Sequence, residues 1–98
     1  MLLLDTRGKV IEEVEVSVGD LSSAVVHPRE VFLQAVKRSA AAVALIHNHP
    51  SGDPMPSMED IATTERLVEA AKIMGIDVVD HIIIGDGQYT SLKSEDLM

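Results

Sequence analysis

Hydrophobic and polar positions alternate in blocks that mark out seven elements. The opening triplet Leu2-Leu3-Leu4 turns polar at Asp5, so residues 1–5 read as a short buried strand and Asp5-Thr6-Arg7-Gly8 as a turn. Over residues 9–18, Val10, Val14, Val16 and Val18 are apolar, with Glu13, Glu15 and Ser17 between them. That is the period of a half-buried strand, and with the first strand it predicts an antiparallel hairpin closed off by Gly19-Asp20. A short extended piece, Ala24-Val25-Val26-His27, precedes Pro28. Pro28 suits the first turn of a helix, and Glu30 places negative charge at its positive dipole end. Val31, Phe32, Ala35, Val36 and Ser39 form its inner stripe, with Lys37-Arg38 near its end.

The run Val43-Ala44-Leu45-Ile46 has no polar interruption, as expected of a central strand covered on both faces. It ends in His47-Asn48-His49-Pro50. A loop stiffened by Pro50, Pro54 and Pro56 leads to Ser57, and residues 57–74 read as an amphipathic helix with Ile61, Thr64, Leu67, Val68, Ala71 and Met74 inward. Gly75 terminates it. Val78-Val79 and residues 81–84 predict a further buried strand, and residues 89–92 a last one after the turn Gly85-Asp86-Gly87. The order β-β-α-β-α-β-β predicts an α/β domain, a mixed sheet with helices on its faces in three α/β/α layers.

Composition narrows the chemistry. With 98 residues the chain forms one domain. It is 46% hydrophobic, yet Phe32 and Tyr89 are its only aromatics, so the core is aliphatic. Sixteen acidic against eight basic residues give a formal charge of −8, which repels a phosphate backbone; no direct nucleic-acid binding is expected of this domain alone. Without cysteine, disulfides and thiolate metal sites are excluded. No apolar run approaches the ~20 residues of a membrane helix. The opening Leu run meets Asp5 too soon for a signal peptide, and the expected location is the cytoplasm.

The candidate chemistry lies between residues 47 and 60. Residues i and i+2 of a strand face the same side, so His47 and His49 can aim two imidazoles at one point. Zinc takes such nitrogens and commonly adds a carboxylate, keeping a position for water where the site is catalytic. Asp60, one turn beyond Ser57, is placed to complete the set, and such a metal activates water and polarises a carbonyl. Ser57-x-x-Asp60 is equally the pattern of a helix cap; the two readings compete for the Asp60 carboxylate. Other uses of His-x-His fit poorly. A nuclease of the HNH type spreads those residues over a larger unit, a metallo-β-lactamase needs an Asp-His pair where Pro50-Ser51-Gly52 stands, and an amidohydrolase barrel takes ~250 residues.

His47-x-His49, seven residues, then Ser57-x-x-Asp60 resembles the JAMM (MPN+) metalloprotease motif. The wider run from His47 to Pro54, Pro56-Ser57, Asp60, Asp80-His81-Ile82-Ile83-Ile84-Gly85, Pro28-Arg29-Glu30 and Leu3-Leu4-Asp5 resembles the bacterial RadC proteins over essentially all of residues 1–98. The resemblance implies a cytidine-deaminase-like (JAMM/MPN) α/β/α fold with one zinc ion per chain, held by His47, His49 and Asp60, and Ser57 steadying an oxyanion. In proteins similar to RadC a glutamate just before the first strand is the general base, and a helical region precedes it. Both are expected to be missing here, since the sequence starts at Met1-Leu2-Leu3-Leu4-Asp5. Glu30 is a candidate substitute base, although its position also suits helix capping or an ion pair with Arg29 or Lys37.

The implied function is a zinc-dependent hydrolase of peptide or isopeptide bonds, with a protein or peptide substrate. The alternative is a non-catalytic, DNA-repair-associated interaction domain with a structural zinc. Deaminase chemistry wants Pro-Cys-x-x-Cys ligands, which are absent. His27 reads as structural or surface. Asp80 and His81 read as a structural pair or as a pair orienting a group near the metal. Met55 and Met58 flank the site loop, as loop packing or as the lining of a substrate groove. Exposed edges at residues 9–18 or 88–92 admit a homodimer.

Overall fold

The computed structural model describes residues 1–16 and 27–98. Its elements are β1 (Leu2–Leu4), β2 (Val10–Glu13), α1 (Pro28–Lys37), β3 (Ala42–Asn48), α2 (Met58–Met74), β4 (Asp77–Gly85) and β5 (Gln88–Ser91). This is the expected order. The expected end of the second strand at Val18, the turn Gly19-Asp20 and the extended piece over Ala24, Val25 and Val26 lie outside the described residues.

The five strands form one mixed sheet in the order β2-β1-β3-β4-β5. β1 pairs antiparallel with both β2 and β3, β3 and β4 run parallel across the α2 connection, and β4 and β5 form an antiparallel hairpin. A parallel pair needs such a crossover. Leu3 faces Val43 across β1 and β3, so Leu3, Val43 and Leu45 share one face. All three are buried in a single cluster with Val31, Phe32 and Ala35 of α1 and Leu67 and Ala71 of α2. The helical layer supplied by the described residues therefore lies on that face. The opposite face carries the small Ala42 and Ala44, then Ile46 and Ile84, both exposed.

Each helix has the ends its sequence dictates. Pro28 stands at the start of α1 after His27, and Glu30 is in its first turn. α2 begins with Ser57 as N-cap and ends at Gly75, whose amide donates to the Ala71 carbonyl at 2.9 Å. The inward stripes differ from expectation at single positions. Val36 and Met74 are exposed, while Asp60 and Thr63 are buried with Thr64, Leu67 and Ala71. The β2 strand is shorter than the alternation suggested, and all four of its residues are exposed at the sheet edge. Among the described residues no helix is long and apolar enough to cross a membrane.

Candidate metal centre

β3 carries the uninterrupted apolar run into His47 and Asn48. The ladder does not stop there, because the His49 amide still donates to the Ile84 carbonyl at 2.9 Å. His49 thus keeps strand geometry, and the two imidazoles project to the same side with ring centroids 4.7 Å apart, edge to face. Opposite them stands the first turn of α2. His47 Nδ1 is 3.0 Å from Asp60 Oδ1, and His49 Nε2 is 2.9 Å from Asp60 Oδ2. One donor atom from each of the three residues lies within 4.8 Å of the other two.

The cap and the ligand readings of Asp60 hold together. Ser57 Oγ accepts from the Asp60 amide at 3.0 Å, and Asp60 Oδ2 accepts from the Ser57 amide at 2.7 Å. This reciprocal box aims the carboxylate back over the helix start, which is where the imidazoles arrive. Sharing Oδ2 removes the competition. Asp60 is only 2% exposed, so helix and strand meet over a buried charge.

Protonation follows from the partners. The Asp53 carbonyl, 2.8 Å from His49 Nδ1, can only accept, so that nitrogen carries a proton. In the neutral ring Nε2 then turns a lone pair toward Asp60, an arrangement that calls for positive charge between them. His47 is not a satisfied structural histidine either: its Nε2 is buried without a hydrogen-bond partner, which costs about 1–3 kcal/mol if left so. Burial lowers the His47 pKa, against the raising effect of Asp60. Burial also pushes the Asp60 carboxyl up, but the amide and hydroxyl of Ser57 with the charges of His47 and His49 outweigh it, and the net shift is downward. A neutral imidazole and an ionised carboxylate are the forms that a cation binds.

The cluster opens into a cleft of about 650 Å³ lined by His47, His49, Pro50, Ser51, Ser57, Met58, Glu59 and Asp60. Ser57 is part of the lining. Met58 lines it and is 84% exposed; Met55, also exposed, is not part of the lining. Glu30 sits exposed in the first turn of α1 and is not a lining residue. Glu59, which sequence reasoning passed over, is; its place beside Asp60 on the first turn was the available signal.

Asp80 and His81 do not pair through their side chains. Asp80 Oδ1 accepts from the backbone amides of His81 and Lys93, and its Oδ2 accepts from the Ser91 hydroxyl. The His81 ring instead meets Thr64. Consecutive strand residues face opposite sides, so the two could not share one partner. Burial, against the charge of Asp60, pushes the His81 pKa down from 6.5 to about 4. The unfolded chain therefore binds more protons than the native one between those values. In the metal-free protein, protonation of His81 should take up to about 3 kcal/mol from the unfolding free energy as pH drops from about 6.5 to about 4. Urea titrations across that range check it: His81→Phe should remove this part of the slope, and identical slopes in both proteins would refute it.

A sequence model of the family described as RadC-like JAB domain matches residues 1–97. The chain belongs to this family. The RadC-like domain is 60% identical over 97 residues to a UPF0758 protein of Desulforamulus reducens, covering 99% of the chain and 43% of that protein. It is 66% identical over 91 residues to a UPF0758 protein of Pelobacter propionicus, covering 93% and 40%. With a UPF0758 protein of Methanosarcina mazei the identity is 58% over 94 residues, covering 96% and 41%. The RadC-like domain thus spans about two fifths of the length of these curated relatives. The resemblance seen in the sequence is borne out, as is the α/β fold with its mixed sheet.

Proposed function

We propose that this RadC-like domain binds one zinc ion through His47, His49 and Asp60 and hydrolyses amide bonds of peptide or isopeptide type. One observation carries the reading: two imidazoles and an ionised carboxylate converge on the lining of an open cleft, and His47 Nε2 is buried without a partner. Nitrogen and oxygen donors suit zinc at ~2.0–2.1 Å. When bound, the ion supplies Lewis-acid activation of water and of a substrate carbonyl. The protein's own share is orientation. The Asp53 carbonyl fixes the His49 tautomer, the capping box fixes the Asp60 carboxylate, and Ser57 brings a hydroxyl to the cleft lining for a developing oxyanion. This reading assigns no role to Glu30.

A second reading, a structural zinc in a protein-interaction domain associated with DNA repair, is favoured by the same Asp60. Its Oδ2 already ties the start of α2 to the end of β3, a join that a cation would lock. One experiment separates the two. Metal content by mass spectrometry should give one zinc per chain for the parent and a nearly metal-free His49→Ala variant; a metal-free parent after zinc loading sinks both readings. On the loaded parent, acetohydroxamate should shift the spectrum of a Co2+ replacement, and chelation should spare the fold. Unfolding on chelation with no response to acetohydroxamate would establish the structural role instead.

A further inference from the structure

Among the described residues four polar or charged side chains are buried: Asp60, Thr63, Thr64 and His81. Thr64 is fully buried and His81 only 5% exposed, yet neither belongs to the cluster of three donors. Thr64 Oγ1 lies 2.7 Å from the main-chain carbonyl of Asp60 and 2.6 Å from His81 Nδ1. A hydroxyl has one proton to give and a carbonyl can only accept. Thr64 therefore donates to Asp60 and accepts from the Nδ1–H of His81, which sets the direction of every bond in the chain.

His81 stands opposite Leu45 in the parallel ladder, and its ring stacks on that of His47 at 6.0 Å and 26°. A single imidazole thus touches a ligand carried by the sheet and, through one hydroxyl, the backbone of the ligand carried by the helix. We propose that His81 and Thr64 are positioning residues, a buried brace that holds the first turn of α2 at metal-binding distance from His47 and His49. The proposal rests on the reading of His47, His49 and Asp60 as metal ligands. The aliphatic contacts of α2, through Leu67 and Ala71, lie further along the helix and are non-directional. The Thr64 bond acts on the very residue whose carboxylate must arrive in register. Groups behind metal ligands commonly carry 10–100-fold in affinity for this reason.

The test uses Co2+ binding, read by chelator competition and by the visible spectrum, beside thermal unfolding of the metal-free protein. Thr64→Val should weaken Co2+ binding by about 10-fold or more and alter the spectrum, while Thr64→Ser, which keeps the hydroxyl, stays close to the parent. Because Thr64→Val leaves a buried Nδ1–H unpaired, it is compared with the pair Thr64→Val/His81→Phe, in which both polar partners are replaced and stability should be nearly conserved. That folded double variant should still bind Co2+ about 10-fold more weakly. Parent-like affinity and spectrum in it would overturn the brace. A parent that takes up no Co2+ would overturn the ligand assignment itself, and the brace with it.

Discussion

Replacing Asp60 with alanine should remove metal binding and loosen the start of α2 in one step. The carboxylate serves both histidines and the Ser57 amide, so its loss takes away a charged ligand and half of a capping box. Metal affinity should fall by more than about 100-fold, beyond what supporting groups carry. The metal-free protein should lose about 1–2 kcal/mol, the range of a lost helix cap. Asparagine at the same position separates the two effects. Its side-chain carbonyl can still accept from the Ser57 amide, so Asp60→Asn should melt near the parent when both are chelated while binding metal as poorly as Asp60→Ala. Chelator competition and thermal unfolding read the two quantities independently. An asparagine variant with parental affinity would remove Asp60 from the ligand set.

Gly85→Ala should damage the same centre from a residue that lines none of it. A Cβ at Gly85 would stand 2.6 Å from the Gly52 carbonyl oxygen, 2.7 Å from its carbon and 2.9 Å from the Asp53 carbonyl carbon. All three are backbone atoms, so no side chain can swing aside and the loop itself must move. That loop holds His49: the His49 carbonyl accepts from the Gly52 amide at 3.0 Å, and the Asp53 carbonyl fixes the His49 ring. Overpacking of this kind costs about 1–3 kcal/mol. Metal affinity should drop by about 10-fold or more as the ring loses its orienting bond. Parental melting and parental affinity together would show that the loop gives way without touching His49.

The three donors were legible in the sequence because their chemistry is local. An apolar strand ending in His47 and His49, a proline-stiffened loop and a capped helix start bring them together within one connection. Buried polar groups were harder to see. Periodicity counts apolar residues, so it places Val36 and Met74 inward, although they are exposed, and passes over Asp60 and Thr63. Asp60 is buried under the capping box and the two imidazoles, and Thr63 lies in the same helix phase. Adjacency in sequence pairs His81 with Asp80, although strand alternation separates them. Its true partner, Thr64, lies 17 positions away, on a helix whose packing against β4 no local pattern reveals. The same limit applies to Glu59, which becomes part of the cleft only when the loop from Pro50 folds back beside it.

The short connection between the end of β3 and the start of α2 also has a kinetic side. His47 and Asp60 are brought together by closing a loop of about a dozen residues, whereas Leu3 must find Val43 across about forty. Early contacts form where chain closure costs least entropy. The end of β3 and the first turn of α2 can therefore gather the three donors before either long-range strand pairing closes, and a refolding chain offers a cation its ligands before its sheet is complete.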